Sequence, residues 1–203
     1  MTASITTPAQ IVNLALKRIG FKGTVGSLFD GSAWSKAALT IYAQTRDELI
    51  RNGEWQFAER VIGGTLLKTA PPGGYAATPW TSAYPAPPWR YEYSYPVDCL
   101  DVRSVRTAPA VLPNFDPVFN RFSVENDNGY SPAVKVILCD VPNAIITYAG
   151  QITDPSTWEP DFVEAMAASL GRRLAPELVG LDSVKLAAAD EQSSDQLANN
   201  RQG

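Results

Sequence analysis

Carboxylates are the side chains left in this sequence to carry acid–base chemistry: there are 21 aspartates and glutamates and no histidine. The lack of histidine removes the commonest general base, the commonest metal ligand and every serine–histidine triad. Cys99 and Cys139 stand alone, and two isolated thiols do not make a zinc site. No G-x-x-x-x-G-K-[ST] motif is present, and Gly63-Gly64 and Gly73-Gly74 lack the strand–turn–helix setting of a phosphate loop. What remains is a carboxylate pair of the kind that cleaves glycosidic bonds, with Asp47, Glu48, Glu54 and Glu59 as candidates. Asp47 and Glu48 read more simply as charges on a helix surface. Aromatic side chains could stack on sugars or on bases. Trp89, Tyr91, Tyr93 and Tyr95, however, alternate with Arg90, Glu92 and Ser94, which a half-buried sheet face explains.

The elements that must position these residues follow from periodicity and punctuation. Thr7, Pro8 and Gln10 form a capping box with proline at the first helical position, and Ile11, Leu14, Ala15 and Ile19 then share a face. Gly20 is placed to end this helix, predicted over 8–19. A second helix over 32–52 is capped by Asp30 or Ser32. Its stripes are Trp34, Ala38 and Ile41, and Leu39, Tyr42 and Leu49, with Asp47 and Arg51 paired on the wet side. The two helices are expected to form an antiparallel hairpin. Residues 56–67 are mixed and broken by Gly63-Gly64. Residues 71–88, PPGGYAATPWTSAYPAPP, read as an exposed loop that projects from the body. Strands are expected at 89–95, 100–105, 118–124, 134–139 and 144–149, joined by turns at 126–129 and 140–143 into a small antiparallel meander. A third helix over 160–175 starts at Pro160 and stops at Pro176, with Phe162, Val163, Met166, Ala167, Leu170 and Leu174 as its apolar face. The fold class is therefore α+β: a helical body from 1–55 and 155–181, a β-rich excursion over 56–154, and a polar segment over 182–203.

Composition narrows the class of function. With 45% hydrophobic and 19% charged residues the chain is built to bury a core rather than to stay disordered. A net charge of -4 without a basic stripe disfavours a free DNA-binding protein. No apolar stretch approaches the ~20 residues of a membrane helix. The opening MTASITTPAQ lacks the basic and apolar regions of a signal peptide, so synthesis in a cytoplasm is expected. Cys99 and Cys139 fit that setting as small buried hydrophobes.

Four segments, in order along the chain, resemble the head-to-tail adaptor proteins of podophages, the tail tubular protein A family. IVNLALKRIG and FDGSAWSKAALTIYAQTRDELIRNGEWQFAER resemble its two N-terminal helices and their RDE-L-R…W-FA signature, here Arg46, Asp47, Glu48, Leu49, Arg51, Trp55, Phe57 and Ala58. YEYSYPVDCLDVRSV resembles its aromatic strand with P-x-DCL-x-V, here Pro96, Asp98, Cys99, Leu100 and Val102. FSVEND resembles its F-x-VE strand, and ITYAGQITDPSTWEPDFVEAMAASLGRRLA its DP…W-x-P-x-F-x-EA helix. The loop at 71–88 departs from the family in being longer and richer in proline.

The resemblance implies a structural virion protein with no cofactor, no metal and no catalytic residues. It implies a homo-oligomeric ring of about twelve copies that matches the portal and extends the DNA channel at the head–tail junction. Its partners would be the portal, the downstream tail (nozzle) protein, further copies of itself and the DNA in transit, with no membrane. A cell-wall glycoside hydrolase is the alternative. Trp34 and Trp55 are candidates for the ring interface or for the core. Tyr75, Trp80 and Tyr84 are candidates for contact with a tail component or a neighbouring protomer. Val184, Leu186, Leu197 and Arg201 are candidates for portal docking by the C-terminal tail. A truncation ending at Leu181 is expected to fold and to lose portal affinity in a pull-down. Unchanged affinity would refute the docking role.

Overall fold

The computed structural model describes residues 7–107 and 119–178. Among these the fold is mixed, with three α-helices and two antiparallel sheets of four strands each. The chain divides into two compact units: Met1–Phe57 with Ile152–Gly203, and Ala58–Gln151 between them in sequence. The portal-docking candidates Val184, Leu186, Leu197 and Arg201 lie outside the described residues.

The helical unit contains α1 (Pro8–Arg18), α2 (Ala33–Asn52) and α3 (Pro160–Leu178). The capping box is formed: Thr7 Oγ1 accepts from the Gln10 amide at 3.3 Å and Gln10 Oε1 accepts from the Thr7 amide at 3.1 Å. Gly20 follows α1 with φ of 74°, in the left-handed region. Ser32 is the cap of α2, while Asp30 braces the approach by accepting from the amides of Ser32 and Gly26. The expected hairpin is not the main contact, because α1 and α2 each pack against α3. Asn13 explains part of this. Its side chain donates to Val25 O at 2.9 Å and accepts from Val25 N at 2.7 Å, which pins the connecting segment along α1. The close approach of α1 to α3 needs Gly171, where a Cβ would lie 3.1 Å from Ala15 O. Two expectations need correction. Leu39 is 42% exposed, since the buried stripe of α2 runs through Ala38, Tyr42, Thr45, Arg46 and Ile50. Pro176 does not stop α3, which continues for two further residues to Leu178. A proline inside a helix removes one hydrogen bond, and the burial of Leu174 and Ala175 just before it holds the helical path.

The β-rich unit has strands β1 (Glu59–Gly63), β2 (Leu66–Thr69), β3 (Tyr91–Ser94), β4 (Cys99–Arg106), β5 (Phe119–Asn120), β6 (Phe122–Asp127), β7 (Val134–Cys139) and β8 (Ile145–Gly150). The first sheet runs β1-β8-β4-β5 and the second β2-β3-β7-β6. This is not the single meander that the turn signals suggest. Two near-continuous runs, β1 into β2 and β5 into β6, each start in one sheet and finish in the other, making corners between the sheets. Tyr93, Val105, Ile137, Cys139 and Ile146 fill the core enclosed by the strands. At its centre Tyr93 Oη donates to Val141 O at 2.7 Å and accepts from Ala144 N at 3.3 Å.

The first corner depends on Gly64. A Cβ there would fall 2.6 Å from Tyr93 Cδ1 and 3.1 Å from Ile146 Cδ1, whereas one at Gly63 would meet nothing within 4 Å. Gly64→Ala is therefore expected to lower stability by about 1–3 kcal/mol through overpacking. Gly63→Ala, one residue away, should leave it unchanged or slightly raised, by up to about 1 kcal/mol. Urea denaturation of the two variants checks both. Equal behaviour would contradict the corner geometry.

Candidate functional site

The site-like feature of the β-rich unit is built on the outward face of the second sheet. Cross-strand partners share a face, and the pairs Lys68↔Glu92, Glu92↔Leu138 and Glu125↔Val136 place these side chains together. Lys68 meets Glu92 because of a bulge. Leu66 pairs with Tyr93 and the next pair is Lys68 with Glu92, so Leu67 is the extra residue. In a regular ladder Leu67 would pair with Glu92 and the lysine would face Tyr91.

The segment 71–88 does not project. It folds back over this face and is tied by its own aromatic side chains. Tyr75 Oη donates to Pro85 O at 2.6 Å, with Trp89 O at 3.2 Å, and Trp80 Nε1 donates to Pro85 O at 2.9 Å. Gly73 and Gly74 turn the chain with φ of 81° and 75°. The physical reason lies in β7. Its sequence VKVILC is apolar on both faces, and Val136 and Leu138 need cover outside just as Ile137 and Cys139 do inside. Between the loop and the sheet remains a cleft of about 540 Å³, walled by Trp80, Ser82, Tyr84 and Ala86 and floored by Glu92, Val136 and Leu138, with Glu125 to Gly129 along one side.

Glu92 alternates with the tyrosines of its strand and so falls on the face that a half-buried sheet would leave polar. It is instead 2% exposed. Its Oε1 lies 3.5 Å from Lys68 Nζ, an ion-pair distance, yet makes no hydrogen bond. Lys68 Nζ is bonded to Asp127 Oδ2, and Asp127 Oδ1 accepts from the Gly129 amide at 2.7 Å. Lys68 also lies over the Tyr130 ring, 4.8 Å from its centre. Burial pushes the Glu92 carboxyl up to about 7, against the pull of Lys68 and with the help of the Asp127 charge. Burial opposes ionisation of Asp127 as well, but the Lys68 and Gly129 hydrogen bonds outweigh it and hold that carboxyl below its usual value. The two acids are thus driven apart, with Asp127 ionised and Glu92 titrating near neutrality.

The carboxylates singled out in the sequence do not line this cleft. Asp47 Oδ1 accepts from Arg46 Nε at 2.7 Å, Glu48 pairs with Arg173 at 2.6 Å, and Glu54 and Glu59 are exposed. Trp34 is half-buried against Phe21, with ring centres 4.5 Å apart. Trp55 is also half-buried, donates from Nε1 to Leu49 O at 2.9 Å and meets the Phe162 ring edge-on at 5.0 Å. Tyr75 serves the loop itself, while Trp80 and Tyr84 line the cleft and Trp80 is 51% exposed. Cys99 and Cys139 are free thiols. Among the described residues no group of three or more His, Cys, Asp or Glu is placed to hold a metal ion, and no helix is long and apolar enough to cross a membrane. The missed residues are Lys68 and Glu92. The usable signal was the apolar run of β7, which announces a strand covered on both sides and hence a buried neighbour at Glu92. No protein-family model and no curated protein matches the chain.

The Glu92 shift has a stability consequence of definite sign. The folded state holds this proton more tightly than the unfolded chain, whose glutamate titrates near 4.5. The associated stability is complete below about pH 4.5 and is lost as pH rises through about 7. Wild type should therefore lose about 1–3 kcal/mol relative to Glu92→Gln between about pH 5 and about pH 8. Urea midpoints at the two pH values give the comparison. Parallel pH profiles would show that Glu92 titrates normally.

Proposed function

We propose that the chain is a structural head-to-tail adaptor of a tailed bacteriophage, one protomer of a ring that joins portal to tail and continues the DNA channel. The observation that carries this reading is where the family-like residues meet. Trp55 and Phe57, from the first motif, and Trp158 and Phe162, from the last, form one aromatic cluster. Phe162 is fully buried and touches the other three rings edge-on at 4.9–5.0 Å. Trp158 also stacks on Tyr42 of α2 at 6.5 Å. Asp98, from the middle motif, accepts from Tyr148 Oη at 3.0 Å and pairs with Arg60 at 3.3 Å, which joins β1, β8 and the β3–β4 turn. Within each unit, segments far apart in sequence act as joints, as expected where family-like motifs preserve a shape and not a reaction.

In this reading α1 and α2 are the N-terminal helical pair of a ring-forming body, the β-rich segment is an excursion from it, and residues 182–203 reach the portal. The protein would sit at the head–tail junction of the virion, after synthesis in the host cytoplasm. Mixing the purified chain with portal from the same phage and weighing the product by light scattering tests this. The expected product is a portal-bound ring of about twelve copies, visible as added density below the portal in electron micrographs. A chain that stays at its free mass with portal present overturns the proposal. Hydrolysis of cell-wall glycan, abolished by neutralising one carboxylate, would favour the hydrolase alternative.

A further inference from the structure

We propose that the cleft between segment 71–88 and the second sheet is a docking pocket for a cationic side chain, an arginine or lysine presented by a protein partner. The wall supplies aromatic faces. Trp80 is 51% exposed and its only donor is already spent on Pro85 O, so its ring faces are what it offers a guest, with Tyr84 beside it. The floor supplies negative charge. Glu92, Glu125 and Asp127 line the cleft, and Lys68 pairs with two of them, so three carboxylates against one lysine leave a formal -2 when all are ionised.

The decisive group is Glu92. It is 2% exposed, it lines the cleft, and its Oε1 makes no hydrogen bond although it lies 3.5 Å from Lys68 Nζ. The adjacent lysine is committed to Asp127. A buried acceptor left without a donor is a standing penalty that a guest can remove. Guanidinium suits both surfaces, since it stacks on an indole face and its edge donates to a carboxylate. An anion would meet the excess negative charge. A neutral sugar would use the wall but leave the floor uncompensated. The groups facing Glu92 are Lys68 from β2, Asp127 from β6 and Tyr75 from the covering loop, with Tyr130 behind Lys68. A cation added to this set favours the ionised carboxylate, so binding releases a proton near neutral pH. The pocket belongs to the β-rich unit alone and does not depend on ring assembly.

The test uses the full chain and three probes: the blocked peptide Ac-Gly-Arg-Gly-NH2, its alanine counterpart, and maltotriose. Titration calorimetry should give a Kd on the order of 1 mM for the arginine peptide and no binding of the alanine peptide. Trp80→Ala removes an exposed ring and Glu92→Gln is isosteric, so both variants should fold, as circular dichroism will confirm, and each should bind at least about fivefold more weakly. If only the ionised form binds, wild-type affinity should rise about tenfold between about pH 6 and about pH 8, and Glu92→Gln should show no such rise. Arginine-peptide binding no better than that of the alanine peptide overturns the proposal. So does preference for maltotriose, or wild-type affinity in both variants.

Discussion

Gly64 stands where a single added carbon would collide with the ring of Tyr93, and the architecture of the β-rich unit follows from that contact. Because the backbone passes so close to the buried ring, β1 can complete one sheet and β2 the other without a long connection. The same passage brings β2 alongside β3, and the bulge at Leu67 then sets Lys68 opposite Glu92. A packing constraint at one glycine thus decides which charged residues meet several positions away. Tyr93 holds the other side of the contact. Its hydroxyl is locked between Val141 O and Ala144 N, so the ring cannot retreat to make room.

The outer face of the second sheet shows how cover creates a titrating group. Val136 and Leu138 call for an apolar lid, and segment 71–88 supplies one. Glu92 lies between them and the corner, so the lid that shelters the apolar pair also takes water away from the carboxylate. Lys68 cannot serve two acids equally. It bonds to Asp127, which has the Gly129 amide as a second donor, while Glu92 Oε1 stays 3.5 Å from the lysine without a hydrogen bond. Desolvation then outweighs attraction at one acid and yields to hydrogen bonding at the other.

Much of the helical unit was legible because local signals agree there. The box at Thr7, the Ser32 cap, Gly20 and the apolar face of α3 all act over three or four residues, and each is found where periodicity puts it. The strands from 91 to 150 were legible for the same reason, through alternation and turn residues. What escaped depends on partners far away in sequence. Glu59–Gly63 is a strand because β8 is beside it, although all five residues are exposed and its sequence is broken by glycine. Segment 71–88 has the composition of a free loop, yet it is ordered by a sheet face that its own sequence does not reveal. Glu92 obeys the alternation that placed it opposite the tyrosines. Alternation reports which face a residue occupies, and it does not report whether that face is wet.

Glu59 and Ala149 are register partners, so the β-rich unit begins and finishes on neighbouring strands, while α1 and α2 lie before it in sequence and α3 after it. This arrangement sets the order of events on a ribosome. As the chain emerges, Ile11, Leu16 and Ile50 leave the exit tunnel long before Phe162, Leu170 and Leu174, the surfaces with which α3 completes their unit. The β-rich unit is contiguous and has all its strands as soon as residue 150 is out. Translation therefore delivers the inserted unit whole while the surrounding one is still half made, and the first helices wait with their apolar faces uncovered until the last one is synthesised.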